Sequence, residues 1–541
     1  MNMPSLEMEA VTAPLDLLVV RALLVCIFTS GLASTSGGQQ LADNSLTTFN
    51  FLGMESIANE VGRVAQMTFG PDGKLYVATF GDGVVSYDYA PSGELSNRTT
   101  VWSRTEDIPN GVVNGSLGVA FHEDPTLGTV MYISPAVTSF FNVEDNFTQS
   151  IVRLTDSDGD GNWGELADGE INQAIADNLR VTDLHQVNQL LIKDDTLYAG
   201  IGSRTRTGGE VSEYPDAPNP DDGEFAYTGA INWIRDLTQL SDDTTTSNTA
   251  GFDSLVHHTD TRPFTSADTG KLTVYSTGFR NVYGLAFDSD DQLWATMNQN
   301  ENPLKPDELH QSNFQDDHKF PKGNEVSGDW KSNADAMSAG FFSTFKNPVA
   351  LLGNHASADG LAFTNANDEL SNYVFLVRFA SGKDLLAIDK ITGDITTIAQ
   401  GFANPLDVIS DPMGNLLVGQ YGEGGEIFRL NALSGPFADL DESGSLDLDD
   451  WNILKQNFNS DLSNLTKPEA YLLGDLNGDL VNNEYDFALF KEAVETQGGF
   501  DSLSQLVNAV PESSTSVYSV SIFICAVLAV QLRPRHMGMV R

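Results

Sequence analysis

A short unit of alternating apolar residues recurs six times along this chain, and few architectures accommodate such a repeat. Its clearest copy spans 276–296. Arg280 and Asn281 precede Leu285, Ala286 and Phe287, then Ser289, Asp290 and Asp291 turn, and Leu293, Trp294, Ala295 and Thr296 return. Apolar residues alternating with period two around a turn of small and acidic residues mark a half-buried β-hairpin. The same plan returns at 66–78, around Pro71, Asp72 and Gly73, and at 117–134, 187–202, 359–377 and 406–420. More strand-like sequence follows, for instance at 83–87 and 425–430. Units of roughly 40–90 residues made of short antiparallel strands predict an all-β fold, a six-bladed β-propeller over 45–432. The uneven spacing puts the surplus length into loops, where function concentrates. The segment 47–52 is expected to supply a strand that closes the ring.

At 541 residues the chain is too long for the propeller alone, and its formal charge of −46 is far from neutral. A duplex nucleic acid partner is excluded on that ground, because phosphate binding needs basic patches. The acidity suits solubility. The two cysteines, Cys26 and Cys525, both lie in apolar terminal segments, so no disulfide or cysteine nucleophile is expected in the folded middle. The run 22–28, preceded by Arg21 and followed by Gly31, Leu32 and Ala33, reads as a signal peptide over 1–33. At the other end, Pro511 and Glu512 precede an apolar run over 517–532 and then Arg533, Arg535 and Arg541. Such a run is marginal for a membrane span, with its basic end kept cytoplasmic. The order of features over 510–541 resembles PEP-CTERM sorting signals, with an ordinary C-terminal anchor as the alternative. Both readings make the protein exported, extracellular or in the cell envelope, with membrane contact through this tail only.

Between propeller and tail, 436–498 reads as a calcium module. Asp439, Asp441, Ser443, Asp447 and Asp450 fall at loop positions 1, 3, 5, 9 and 12, with Gly444 at position 6 for the sharp turn. Asp475, Asn477, Asp479, Asn483 and Asp486 repeat the spacing, with Leu480 in the glycine's place. Oxygen ligands at this spacing resemble EF-hand loops. Each loop leads into helix-like sequence, and the pair resembles a dockerin type I repeat, which implies either a cohesin-like partner or a structural calcium clip. A third acidic loop, with Asp156, Asp158 and Asp160 at positions 1, 3 and 5, lies inside the propeller. Position 12 there is Ala167, so Glu165 or Asp168 is expected to complete the shell.

Several motifs of the propeller resemble those of the glucose/sorbosone dehydrogenase family, whose six-bladed propellers oxidise sugars with pyrroloquinoline quinone (PQQ). They are Gly278-Phe-Arg-Asn-Val-Tyr-Gly-Leu-Ala-Phe287, Leu117-Gly-Val-Ala-Phe-His122, His185 ahead of 193–202, and the acidic pair Asp307 and Glu308. The resemblance covers most of ~60–430 and implies a set of roles. His185 would be the base that takes the sugar hydroxyl proton, a task suited to a group titrating near neutrality. Arg280 and Asn281 would hold PQQ oxygens, and a guanidinium suits a tricarboxylate ligand. Backbone oxygens near Gln299 and Asn300 would carry a calcium ion that polarises the quinone. Arg378, Lys383 and His355 are the further candidates at the mouth, with a carbohydrate as the small-molecule substrate. The sequence departs from the family at 300–303, where a Gly-Pro pair is missing, at 320–325, and at 401–405, which carries no basic residue.

Other readings stay open. His185 and the Arg280–Asn281 pair can be packed structural residues of a non-catalytic surface scaffold, and fold alone does not separate the two. His257 and His258 read as surface residues. A lactone hydrolase would need inward Asp, Glu and Asn side chains, and no such set stands out. Serine-hydrolase spacing is absent.

Overall fold

The computed structural model describes residues 40–42, 51–104, 115–136, 147–181, 185–203, 228–240, 246–247, 270–299, 305–318, 346–364, 366, 370–422, 424–433, 435–465 and 467–497. The expected leader (1–33) and tail (510–541), Asn300, the stretches 301–303 and 320–325, His257 and His258 lie outside them. No helix among the described residues is long and apolar enough to cross a membrane.

Six sheets follow one another along the chain, each built on four antiparallel strands; Thr246–Ser247 adds a parallel fifth strand to the second and Gln40–Leu41 an antiparallel fifth to the fifth. Blade I comprises Val64–Phe69, Leu75–Thr79, Gly83–Tyr89 and Leu95–Trp102. Blade II comprises Ser116–Asp124, Gly128–Pro135, Phe147–Thr155 and Asn172–Val181. Blade III comprises Val187–Lys193, Thr196–Ile201, Ala230–Arg235 and Leu272–Thr277. Blade IV comprises Asn281–Phe287, Leu293–Asn298, Pro306–Ser312 and Ala350–Asn354. Blade V comprises Ala358–Ala362, Tyr373–Arg378, Asp384–Asp389 and Ile395–Gln400. Blade VI takes Pro405–Ser410, Leu416–Gln420 and Glu426–Ala432 from its own repeat, and its fourth strand, Phe51–Asn59, from the start of the propeller. The six hairpins read from the sequence are the inner two strands of the six blades. The closing strand takes in residues 51 and 52 of the expected 47–52 segment, whose residues 47–50 lie outside the described ones.

First strands of neighbouring blades touch in ring order, blade VI back to blade I. Six apolar clusters fill the six gaps between blades. One joins II to III around Ile151, Leu190 and Ile234, and another joins V to VI around Phe375, Phe402 and Phe428. Inner strands such as Leu75–Thr79 and Leu293–Asn298 bury side chains on both faces of their blades, whereas the outer strand Leu95–Trp102 is mostly exposed. Every inner hairpin carries a register shift near the start of its first strand, at Val64/Gln66, Ser116/Gly118, Val187/Leu190, Val282/Leu285, Ala358/Leu361 and Pro405/Asp407. A bulge re-aims side chains. Here it brings Gln66, Gln189 and Asp407 to the axis, where they bond across blades.

The C-terminal module holds helices α1 (Leu448–Gln456), α2 (Lys467–Tyr471) and α3 (Glu484–Gln497). A short pairing of Ser460–Asp461 with Val481–Asn482 ties its two loops. Its core of Trp451, Leu454, Tyr471 and Phe490 also packs against Leu52 of the closing strand.

Candidate functional site

The first strand of each blade starts, and the second ends, on one face of the ring, here called the mouth. His185 precedes the first strand of blade III, Arg280 that of blade IV and His355 that of blade V, while Gln299 follows the second strand of blade IV. Arg378 ends the second strand of blade V and Lys383 precedes its third. All the described candidates therefore share this face.

Ser203 ties His185 to Arg280. Its carbonyl accepts from His185 Nδ1 at 2.7 Å, and its N–H donates to the Arg280 carbonyl at 2.5 Å. A carbonyl only accepts, so Nδ1 carries the hydrogen and Nε2 is the basic nitrogen of His185. Gly202 is required beside it: a Cβ there would stand 2.5 Å from Asn281 Oδ1 and 2.6 Å from His185 Cβ. Asn281 Oδ1 also accepts from Asn188 Nδ2 at 2.9 Å. Arg280 is buried and donates to the Asn298 carbonyl at 3.3 Å. Asp307 clamps the same corner, accepting from Gln299 N at 2.8 Å and from Ala358 N at 3.0 Å. Burial pushes its carboxyl up, against those two N–H groups and the nearby His355 and Arg280.

Arg378 is differently employed. It holds Asp384 with two bonds, 2.8 and 2.5 Å, and donates to the Leu352 carbonyl at 3.0 Å. Bidentate pairing of this kind neutralises the guanidinium. Lys383 Nζ reaches Asn404 Oδ1 at 3.4 Å. His355, Ser357, Lys383 and Asn404 all have positive φ, a concentration of backbone strain on the mouth that non-glycine residues adopt only under constraint.

The mouth also holds residues that sequence reasoning missed. Arg63 lies over the Tyr421 ring, 5.2 Å from its centroid, and Tyr421 packs on Phe80 and Phe379. Below them the axis is closed. Tyr283 Oη donates to the Ala65 carbonyl of the opposite blade at 3.2 Å, and Gln189 Nε2 donates to Asp407 Oδ1, again across the ring, at 2.6 Å. Asp407 also accepts from Met67 N at 2.6 Å, and burial pushes its carboxyl up to about 7. Asp359, bonded by Asn298 Nδ2 at 3.0 Å and Ser357 Oγ at 3.1 Å, is raised well above the usual range, first by burial and then by Asp307 and Asp407. Inward acidic residues thus do exist at the strand starts, where sequence reading saw none. They sit on bulges that no periodicity reveals.

The donor set fits a planar polycarboxylate. Among the described residues Arg63, Arg280 and Lys383 bring cations to the mouth, and Tyr421, Phe379 and Phe80 bring aromatic faces. Arg378 is already committed to Asp384.

Three acidic clusters could hold a cation: Asp439, Asp441 and Asp450; Asp475, Asp479 and Asp486; and Asp156, Asp158 and Glu170. In the two module loops the position-12 acid accepts from the position-2 N–H, Leu440 to Asp450 at 2.6 Å and Leu476 to Asp486 at 2.8 Å. Ser443 Oγ is turned to the Ser445 carbonyl at 3.2 Å, and Asn477 bonds Asp479. Asp447 and Asn483 cap the following helices. Leu480 takes φ +65°, so a leucine accepts the left-handed turn that Gly444 makes at +83°. The propeller loop is completed differently from the expectation. Glu170, beyond both Glu165 and Asp168, accepts from Ser157 N at 2.6 Å and from Gly164 and Glu165 N at 2.9 Å each. Asp160 falls outside that cluster and bonds Asn162.

No family model and no curated protein matches this chain. Solved structures similar to it include a PQQ-bound aldose sugar dehydrogenase from Streptomyces coelicolor, at 19% identity over 70% of this chain and 96% of that one, TM-score 0.47. A soluble aldose sugar dehydrogenase from Escherichia coli in its apo-form shows 16% identity over 70% and 99%, TM-score 0.46. The PQQ domain of a pyranose dehydrogenase from Coprinopsis cinerea shows 11% over 74% and 99%, TM-score 0.49.

Proposed function

We propose that the protein is an exported oxidoreductase that oxidises a sugar or related alcohol at the propeller mouth, with PQQ as acceptor. The observation that carries this reading is the Ser203 bridge, which sets an oriented imidazole beside a buried arginine and carboxamide. In this reading Arg280, Lys383 and Arg63 bind the carboxylates of the cofactor, and Asn281 its polar edge. Gln299, clamped by Asp307, offers its carbonyl to a calcium ion. Bound quinone supplies a two-electron acceptor. His185 Nε2 removes the hydroxyl proton as the carbon-bound hydrogen leaves with its electron pair, and the imidazolium is stabilised through Nδ1–H on the Ser203 carbonyl.

The three acidic loops are read as calcium sites, those of the module serving as a clip or as a cohesin-binding surface that attaches the enzyme outside the cell. The test is a calorimetric titration of PQQ with calcium, followed by dye reduction with a panel of aldoses. Binding lost in Arg280→Ala and turnover lost in His185→Ala support the reading. No binding and no turnover would favour a surface scaffold.

A further inference from the structure

Behind Arg280 runs a buried chain of polar groups that the chemistry above does not use. Glu308, His310 and Ser312 alternate along the third strand of blade IV, so they share one face. His318 comes from the turn after that strand and Ser276 from the last strand of blade III. His310 Nε2 lies 2.9 Å from Glu308 Oε2, and His310 Nδ1 lies 3.1 Å from His318 Nδ1. His318 Nε2 lies 3.0 Å from Ser312 Oγ, which lies 2.7 Å from Ser276 Oγ. The two imidazoles and both serines are buried.

With a neutral His310 the contacts give one consistent order of protons. The Glu308 carboxylate accepts, so His310 Nε2 carries a hydrogen. With His310 neutral its Nδ1 accepts, so His318 Nδ1 donates. His318 Nε2 then accepts from the Ser312 hydroxyl, and Ser312 accepts from Ser276. The charged and titratable groups around the pair are Glu308 on the strand, Asp316 and Asp317 on the turn, Tyr275 on blade III, and Lys346, which pairs with Asp316 at 3.4 Å.

The imidazoles hold the residue next to Arg280. The His318 ring lies on the Phe279 ring, with centroids 4.2 Å apart, and His310 meets it edge-on at 5.9 Å. From the other side Phe279 N donates to the Gly229 carbonyl at 3.1 Å, and Ser203 N holds the Arg280 carbonyl. The Phe279–Arg280 peptide is thus clamped between the histidine pair and the serine that orients His185.

We propose that His310 and His318 are positioning residues for Arg280, and that the grip of Arg280 on a ligand carboxylate depends on the hydrogen-bonded chain from Glu308 to Ser276 that holds their rings on Phe279. This rests on reading Arg280 as the carboxylate-binding residue.

The test titrates PQQ with calcium into the full-length protein and its variants, following binding rather than turnover. His318→Phe keeps a ring on Phe279 and removes the relay; its affinity is expected to fall about tenfold, the scale of a lost supporting contact. Ser312→Ala, which removes one hydroxyl, should weaken binding about threefold and serves if the first variant does not fold. Unchanged affinity in a folded variant, where the wild type binds, would overturn the positioning role. Absence of wild-type binding would instead overturn the reading of Arg280 and the proposal with it.

Discussion

Single residues at the mouth are committed by their neighbours before any ligand arrives. His185 has its proton placed by the Ser203 carbonyl. Replacing it with alanine should lower turnover by about 10²-fold or more while PQQ affinity changes little, since a general base contributes on that scale and its removal leaves the cations in place. Equal loss of binding and turnover in a steady-state and calorimetric comparison would make His185 a packing residue. His318 makes a second prediction. Burial first, then His310 and Lys346, hold its pKa well below the usual histidine range. The unfolded chain takes up a proton below about pH 6.5 that the folded one refuses, so folding stability must fall as pH drops through that value. His318→Phe should flatten that limb of a stability-against-pH curve measured by denaturant unfolding, and an unchanged limb would assign it elsewhere.

At the scale of strands and loops, the propeller hairpins were legible because their apolar residues alternate and their turns are punctuated by glycine and aspartate. The bulges were not, since an extra residue leaves the composition of a strand unchanged. Tyr283, Gln189 and Asp407 therefore read as ordinary strand positions although they close the axis. The Arg378–Asp384 pair was missed because its members stand on adjacent strands, joined only by pairing register. Glu170 was missed because it lies past the position-12 slot at which calcium loops are read. Bulges also explain glycines. A Cβ on Gly284 would stand 2.3 Å from the Asp359 carbonyl and 3.1 Å from Gly360 Cα, both backbone atoms of the next blade. Gly284→Ala should cost about 3 kcal/mol in chemical denaturation, and a cost near zero would contradict the tight axis. In the module, burial pushes the Asp450 and Asp486 carboxyls each up to about 6. Their stabilising protons are fully bound below the unfolded carboxylate range near pH 4 and are lost as pH rises through about 6. A calcium ion bound there would replace them, so its increment in melting temperature should be larger at about pH 7.5 than at about pH 5. Equal increments at both would argue against these two acids as ligands.

The propeller is a ring closed by Phe51–Asn59, and the module packs on that strand. Leu52 packs against the core that Trp451, Tyr471 and Phe490 form, between the two calcium-type loops. Chelation should therefore raise hydrogen exchange in Phe51–Asn59 as well as in the module, and protection unchanged in that strand would separate the two parts energetically. The proposed working surface is the mouth face, where Ser203 joins the His185 imidazole to Arg280. Titration of PQQ with calcium into the purified protein tests that claim most directly. The account predicts saturable, micromolar or tighter binding that Arg280→Ala abolishes and that supports dye reduction by an aldose. Absence of binding in the wild type would contradict it.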